Sequence, residues 1–175
     1  MLKAENNMIE TKRLKLRVPE ISDQKFFIKL YCNPEVMKHI PPNGKPATFN
    51  EAKERLDHLI VHWDRYGYGM FVVELKDSII PVGYCGLRYL PEIDDIELGY
   101  IIDQPYWGIG IASEAANACV QYAETSLNIE QLISVTNPDN FGSQKILTKI
   151  GFKRSEHNDG IYHGMLHDFF VLRFN

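Results

Sequence analysis

Three strand-like segments follow one another in the middle of the chain with only short turns between them. They cover Met70 to Leu75, Ile80 to Leu90 and Ile93 to Ile102, and each is apolar throughout or alternates apolar with polar residues. The separating stretches, Asp77-Ser78 and Pro91-Glu92, contain residues that favour turns. This run predicts a sheet at the centre of the fold, and the rest of the chain has to pack around it.

Segments with helical periodicity lie on both sides of this run. Before it, Thr48-Phe49-Asn50-Glu51 matches a capping box that begins one helix, and Gly67 is expected to end that helix. After it, helical patterns begin at Ile111 and at Asn140. The remaining predicted elements are a helix from Asp23 to Tyr31 and strands from Leu14 to Val18, Gln131 to Thr136, Phe152 to Glu156 and Met165 to Phe174. Residues 1–175 are therefore predicted to form one α/β domain with a mixed sheet.

Charge and composition argue against several classes of protein. The chain has 19 basic and 23 acidic side chains, a net charge of −4, which disfavours binding to nucleic acid. The N-terminal sequence MLKAENNMIE lacks the apolar core of a secretory leader, and no stretch approaches about 18 consecutive apolar residues. Cys32, Cys85 and Cys119 lie far apart without CxxC spacing, so we expect buried apolar side chains and neither a metal site nor disulfides. We expect a cytoplasmic protein with no membrane partner.

The candidate chemistry lies where the third central strand meets the next helix. Two glycines, Gly108 and Gly110, fall in the turn between Ile102 and the helix that begins at Ile111. Glycine lets the backbone approach a ligand closely and adopt positive φ. A helix N-terminus adds unpaired N–H groups and a partial positive charge. Together these features predict an anion cradle of the kind that holds a pyrophosphate.

Other interpretations of this segment are weaker. The pattern GxGxA also resembles the start of a dinucleotide-binding fingerprint, but Ser113 stands where its third glycine or alanine would be. A phosphate-binding loop of the GK[ST] type has no match. The glycines could also serve only to make a tight turn between strand and helix.

A second segment follows the next predicted strand. Asn140 is a natural N-cap for the helix that ends near Ile150, and Ser143 lies one turn further along the same face. Taken alone, Asn140 would be a cap and Ser143 a solvated helix position.

Taken together, these segments resemble the GNAT superfamily of N-acetyltransferases, and within it the branch related to ribosomal-protein N-terminal acetyltransferases. The matching motifs, in order along nearly the whole chain, are Thr11-Lys-Arg13-Leu14-Lys-Leu16-Arg17, Gly83-Tyr-Cys-Gly86-Leu87, Glu97-Leu-Gly99-Tyr100, Tyr106-Trp107-Gly108-Ile-Gly110-Ile-Ala112-Ser-Glu114-Ala115, Asn140-x-x-Ser143 and Lys149-Ile-Gly151-Phe152. The resemblance implies a single domain whose mixed, mostly antiparallel sheet is splayed at an acetyl-CoA site, with helices on both faces.

The resemblance also implies how acetyl-CoA binds and reacts. Pantetheine would pair with backbone groups of Tyr100, Ile101 and Ile102, and Asn140 would reach the same arm. The pyrophosphate would bind backbone N–H groups of Trp107, Gly108, Ile109, Gly110, Ile111 and Ala112. Ser143 would lie near the thioester sulfur. The amine would enter from the opposite side, over the two early helices, and attack the thioester directly through a tetrahedral intermediate, without an acyl-enzyme.

Transfer requires a neutral amine, and therefore a group that accepts a proton. Glu97, which interrupts an apolar strand beside the predicted gap, is the first candidate, and His167 on the last strand is the alternative. Many members of the superfamily carry a tyrosine acid where this chain has Leu147, so Ser143 or a water would assist the departing thiolate. Pro105 replaces the Gln or Arg that is frequent at the start of the loop. Because backbone groups do most of the phosphate binding, this change should be tolerated.

The sequence does not determine which amine is the acceptor. Glu92, Asp94 and Asp95 could attract a cationic amine or form a solvated turn, and the solvated turn is favoured. Tyr66, Tyr68 and Phe71 could line an acceptor pocket but fit a core better. A protein N-terminus and a small-molecule amine are both compatible with the sequence, as are a monomer and a homodimer. The alternatives are a non-catalytic acyl-CoA-binding or sensor protein on the same fold and a nucleotide-binding α/β protein.

Overall fold

A computed structural model of the chain describes residues 8–162 and 164–174. The segment MLKAENN, part of the sequence in which no secretory leader is predicted, lies outside the described residues.

Nine strands form the described sheet around which the helices pack. The strands are β1 Met8–Glu10, β2 Leu14–Arg17, β3 Met70–Leu75, β4 Ile80–Leu90, β5 Asp95–Ile102, β6 Gln131–Thr136, β7 Lys153–Arg154, β8 Gly160–Tyr162 and β9 Met165–Arg173. Their order is β1-β2-β3-β4-β5-β6-β9-β7, with β8 paired to β9. The β5–β6 pair is parallel and the other pairs are antiparallel, so the predicted mixed, mostly antiparallel sheet is confirmed.

Five α-helices accompany this sheet in the described part of the chain. They are α1 Gln24–Tyr31, α2 Pro34–Met37, α3 Phe49–Tyr66, α4 Ile111–Ser126 and α5 Phe141–Lys149. The capping box predicted for α3 is present, since the Thr48 N–H donates to the Glu51 carboxylate at 2.7 Å and the Glu51 N–H donates to the Thr48 hydroxyl at 3.3 Å. Gly67 ends α3 with φ of 73°, a left-handed conformation that glycine adopts without strain.

Differences from the predicted elements are confined to short or terminal segments. β5 begins at Asp95 instead of Ile93, because the turn continues through Asp94, which has φ of 51°. The strand predicted from Phe152 to Glu156 is wrong in length, since only Lys153–Arg154 pairs with β9. The elements β1, β8 and α2 were not predicted, because three or four residues are too few to establish a period.

The two faces of the sheet are covered by different helices. Phe71, Cys85 and Leu98 are buried with Ala115 and Cys119 of α4 in one cluster. On the opposite face, a second cluster joins α1 and α3 to the sheet through Phe27, Leu30, Tyr31, Leu56, Met70, Val72, Tyr84 and Ile101. Successive strand residues point to opposite faces, which is why Tyr84 and Cys85 belong to different clusters. Cys85 and Cys119 are buried as predicted, whereas Cys32, the C-cap residue of α1, is exposed, so the prediction is wrong for this residue.

The sheet is open between β5 and β6, as the predicted splay requires. These strands are in register only at Glu97 and Ile133. The Ser134 hydroxyl then donates to the Leu98 carbonyl at 2.9 Å, and from Tyr100 onward β5 has no strand partner on this side among the described residues. The gap between the diverging strands is the feature that positions the site. Among the described residues, none of the helices combines the length and the hydropathy that a membrane span requires.

Candidate active site

The gap between β5 and β6 opens into a cavity of about 1270 Å³ that reaches both faces of the sheet. The sequence-predicted residues that line it are Glu97, Tyr100, Ile101, Ile102, Trp107, Gly108, Gly110, Ile111, Ala112, Asn140, Ser143 and His167. Ile109 does not line it, and its side chain is exposed. We call the part beside α4 and α5 the donor half. The part beside α1 to α3, lined by residues from Tyr31 to Tyr89 and by Glu97, is the acceptor half.

The glycine turn at the start of α4 has the geometry of an anion cradle. Gly108 and Gly110 both have positive φ, 77° and 83°, and an added Cβ at Gly108 would meet no atom within 4 Å. Gly110 is the N-cap of α4 and provides no side chain to cover the first N–H groups of the helix. The first helical bond runs from the Glu114 N–H to the Gly110 carbonyl at 3.1 Å. The preceding amides, from Ile111 on, therefore have no intrahelical acceptor.

The backbone N–H and the indole N–H of Trp107 both donate hydrogen bonds within the turn. The Trp107 N–H donates to the Gln104 carbonyl at 3.1 Å, which leaves the amides from Gly108 onward as the free part of the predicted set. The Trp107 indole donates to the Ile102 carbonyl at 2.6 Å. This contact fixes the loop against the end of β5.

Arg13, which directly precedes β2, holds the cradle in place. The Arg13 guanidinium donates to the Glu114 carboxylate at 2.6 Å and to the Ile109 carbonyl at 2.8 Å. The Arg13 N–H and the Thr11 hydroxyl also donate to Glu114. These contacts tie the loop and the first turn of α4 to the start of the sheet.

The backbone N–H and carbonyl of one β5 residue, Tyr100, face the open edge of the sheet. The carbonyls of Leu98 and Ile102 point to the β6 side, where they accept from Ser134 and Trp107. Because the peptide groups of alternate strand residues point the same way, the N–H and carbonyl of Tyr100 also face the gap. An extended ligand can pair with them as an added strand would.

The helix α5 brings two hydroxyl groups together in the donor half. Asn140 is the predicted N-cap, and its side-chain oxygen accepts from the Ser143 N–H at 3.1 Å. The Ser143 hydroxyl lies 2.9 Å from the Tyr100 hydroxyl, which also donates to the Ser143 carbonyl at 3.2 Å. Burial raises the pKa of Tyr100 well above its usual value, so its phenol stays protonated. Leu147 is fully buried and offers no alternative donor.

Glu97 is buried against an arginine that the sequence did not single out. Arg88 lies opposite Glu97 in the β4–β5 register, and its Nε and Nη2 donate to one Glu97 oxygen, at 3.1 Å from Nε. Glu97 is only 5% exposed. His167, the alternative base, is also buried and its Nδ1 lies 2.8 Å from the Met165 carbonyl. Both candidate bases line the cavity.

Aromatic and basic side chains form the acceptor half. The hydroxyls of Tyr31 and Tyr84 lie 3.0 Å apart, and the Arg55 guanidinium lies 4.9 Å from the centroid of the Tyr31 ring. The Tyr89 N–H donates to His62 Nε2 at 3.1 Å, so Nδ1 carries the proton that is donated to the Tyr68 carbonyl. Burial lowers the pKa of His62, in agreement with this neutral form.

The acidic turn lies away from this cavity. Asp94 accepts from the Tyr89 hydroxyl at 2.7 Å, and Asp95 accepts from the Gln131 amide at 2.7 Å. Both line a smaller pocket of about 440 Å³ together with Tyr66 and Tyr68. Phe71 is a core residue as predicted, whereas Tyr66 also lines the large cavity.

Sequence reasoning missed the site contacts of Arg13, which it had placed only within a matching motif, and the roles of Arg55, Arg88 and the side chain of Tyr100. Arg88 could have been noticed as a charge in an otherwise apolar strand. The others act through contacts between distant elements, which no local pattern reveals.

Comparison with known proteins gives one family. A family model described as an acetyltransferase (GNAT) domain matches residues 13–153. The uncharacterized N-acetyltransferase p20 of Bacillus licheniformis is 29% identical over 146 residues, which cover 82% of this chain and 81% of that protein. The crystal structure of an acetyltransferase from Agrobacterium tumefaciens superposes with a TM-score of 0.85 at 22% identity, covering 99% of this chain and 98% of the other.

RimL, a ribosomal L7/L12 α-N-protein acetyltransferase solved in complex with coenzyme A, superposes with a TM-score of 0.77 at 18% identity. The superposition covers 95% of this chain and 98% of RimL. These two structures have the same fold as the chain.

Proposed function

The chain belongs to the GNAT family of acetyltransferases, and on that basis we propose that it transfers the acetyl group of acetyl-CoA to a primary amine. The observation that carries the proposal is a continuous cavity through the splayed sheet, with an anion cradle at one end and a buried carboxylate at the other. The acceptor is a small-molecule amine or a protein N-terminus. The free thiols of its three cysteines support a reducing compartment, the cytoplasm.

Acetyl-CoA fits the donor half in charge and shape. The free amides at the start of α4 and the positive end of its helix dipole suit a pyrophosphate. The open backbone edge at Tyr100 suits the amide groups of a pantetheine arm, and Asn140 lies across the gap. When bound, acetyl-CoA supplies an acyl thioester that an unprotonated amine can attack.

Glu97 is proposed to accept the proton that an incoming ammonium must lose. Its carboxylate lines the cavity and projects from the same face of the sheet as Tyr84 and Ile101, which is the face of the acceptor half. The Arg88 contact orients the carboxylate by binding one of its two oxygens. His167 is the second candidate for this role.

The departing thiolate is proposed to receive a hydrogen bond from the Ser143 hydroxyl. In this step the Tyr100 phenol donates to the serine oxygen instead of the Ser143 carbonyl, which leaves the serine proton free for the thiolate. Tyr100→Phe, which removes only the phenolic oxygen, is expected to lower kcat about threefold to tenfold, the value of one neutral hydrogen bond. The Michaelis constant for acetyl-CoA should change little. Tyr122→Phe is the matched control, because Tyr122 packs against Phe71 outside the cavity. Equal kcat values for the two variants would remove Tyr100 from the mechanism.

Ligand binding tests the donor assignment. Acetyl-CoA at about 100 times its Kd is expected to stabilise the fold by about 2.7 kcal/mol. In a chain of this length the melting temperature should rise by about 5–11 °C. NAD and ATP at the same concentration should give smaller shifts. A larger shift with either nucleotide, or no shift with millimolar acetyl-CoA, would contradict the assignment.

A further inference from the structure

Arg55 differs from the other two arginines that are not exposed in how its charge is compensated. The chain has seven arginines, and three of them, Arg17, Arg55 and Arg88, are not exposed in the structure. Arg17 is paired with Asp23 and Glu74, and Arg88 is paired with Glu97. Arg55 has no carboxylate within 4.0 Å among the residues that the structure describes. A partly buried guanidinium without an anion is costly, and it suits an anionic ligand.

The position of Arg55 is fixed by two contacts in the acceptor half. Its Nη2 donates to the Pro41 carbonyl at 3.1 Å, and its Cζ lies 4.9 Å from the centroid of the Tyr31 ring. Tyr31 is in turn held by the hydroxyl of Tyr84. A guanidinium carries five N–H donors, and one of them is used by Pro41. Arg55 therefore presents an oriented, charged fork at the wall of the cavity.

The neighbouring charges compensate it only weakly. Glu51, one turn earlier on α3, interacts electrostatically with Arg55, but its carboxylate is exposed and accepts from Thr48 instead of forming an ion pair with Arg55. Lys38, His39 and His58 also line the acceptor half. Among the described lining residues of that half, the carboxylates are Glu35, which is exposed on α2, and Glu97, which is paired with Arg88. A purely cationic acceptor such as a polyamine would meet this basic wall without a matching carboxylate near Arg55.

We propose that the acceptor carries an anionic group as well as its amine, and that Arg55 binds that group while the amine lies toward Glu97. This inference rests on the proposed amine acetylation. A carboxylate matches the guanidinium fork best, because two parallel N–H···O bonds can form. Amino acids are the simplest acceptors of this kind, and small amines with a phosphate ester share the chemistry.

A substrate panel with matched pairs tests this inference. We would measure kcat/KM from amine-dependent thiol release for several α-amino acids, each beside its own carboxamide, and for phosphoethanolamine beside ethanolamine, with spermidine added. At least one anionic amine should exceed its uncharged partner by about 10–100-fold, the range of one charge-assisted contact. The pair with the larger ratio identifies carboxylate or phosphate as the recognised group.

Two substitutions on α3 separate recognition from folding. Arg55→Gln should lower kcat/KM for the preferred anionic amine by about 10–100-fold and change that for its uncharged partner by less than about threefold. Arg65→Gln is the control, because Arg65 is exposed, also lies over a tyrosine ring (5.2 Å from the centroid of Tyr66) and does not line the cavity. It should leave both values unchanged. Melting temperatures of the two variants show that each is folded.

Different results would overturn the anionic acceptor and the proposed acetyl transfer. Thiol release with spermidine or the uncharged amines, but not with the anionic ones, would leave the transferase in place and overturn the anionic acceptor. The same holds if Arg55→Gln lowers both members of a pair equally. If none of these amines releases thiol while acetyl-CoA is bound, the anionic small-molecule acceptor is overturned. The transfer itself fails only if peptides with free N-termini also release no thiol.

Discussion

Replacing Glu97 with glutamine is expected to lower kcat by about 10²–10⁴-fold at pH 7, the usual value of general-base assistance. Glutamine keeps the shape of the side chain but does not accept the proton. The Michaelis constant for acetyl-CoA should change little, because the cradle at the start of α4 lies in the other half of the cavity. The defect should shrink as the pH rises toward the pKa of the substrate amine, since more of the amine then arrives unprotonated.

The contact with Arg88 requires a control for structural damage. Removing one partner of a buried ion pair leaves the other charge uncompensated, which is destabilising by about 3–5 kcal/mol in fully buried cases. Glu74→Gln is the matched variant, because Glu74 is equally buried and paired with Arg17 at 2.7 Å but does not line the cavity. It should lower the melting temperature and leave kcat near normal. A double variant, Glu97→Gln with Arg88→Gln, should recover stability without recovering the rate.

Two results would remove Glu97 from the role of base. A near-normal kcat for Glu97→Gln at pH 7 would transfer the role to His167, which His167→Gln would then test. A defect of equal size at pH 7 and at about pH 9.5 would mean that Glu97 holds β5 or the acceptor in position, because deprotonating the amine would then give no rescue.

Replacing Gly110 with valine is expected to weaken the binding of CoA by about 100-fold or more. Gly110 has φ of 83°, where a branched side chain is strained, and its added Cβ would lie 3.3 Å from the Arg13 guanidinium. The side chain would also cover the first amides of α4. Losing two charge-assisted hydrogen bonds to a pyrophosphate, at about 1.5–3 kcal/mol each, accounts for the expected loss. Titration calorimetry with CoA gives the measurement.

Two comparisons show whether the loss is local. Pantetheine lacks the pyrophosphate and should lose much less affinity than CoA in the same variant. Gly67→Val introduces the same left-handed strain, at φ of 73°, but at the end of α3, where an added Cβ meets no atom within 4 Å. It should lower stability and leave the affinity for CoA unchanged. Equal losses for CoA and pantetheine in Gly110→Val would mean that the whole site had collapsed, and would contradict a local cradle.

The parts of the molecule that could be predicted from sequence are those whose causes are local. The strands β3 and β4 and the capping box at Thr48 follow from period and from adjacent residue types, and each is where it was predicted. The cradle is likewise local, because a strand end, two glycines and a helix start lie within a few residues. The three-residue strands β1 and β8 were missed because three residues are too few to establish a period, and each is defined only by its pairing with the strand that follows it.

The side-chain contacts of the site depend on register and packing. Arg88 meets Glu97 because the β4–β5 turn sets these residues opposite each other, a pairing that shifts with a single residue of turn length. Tyr100 meets Ser143 only because α5 packs across the gap, 43 residues along the chain. Arg55 gains its significance from the absence of a carboxylate partner among the described residues, and this can be known only from the folded structure.

The most direct test of the proposed function is to follow both products of transfer in one experiment. The protein would be incubated with acetyl-CoA and a pooled set of amino acids, peptides with free N-termini and polyamines. Free thiol would be titrated while mass spectrometry identifies any N-acetylated amine. The predicted result is equal molar amounts of thiol and one class of acetylated amine, both requiring the protein and the amine. Tight binding of acetyl-CoA with no acetylated amine from any class would contradict the account and indicate a non-catalytic acyl-CoA-binding protein.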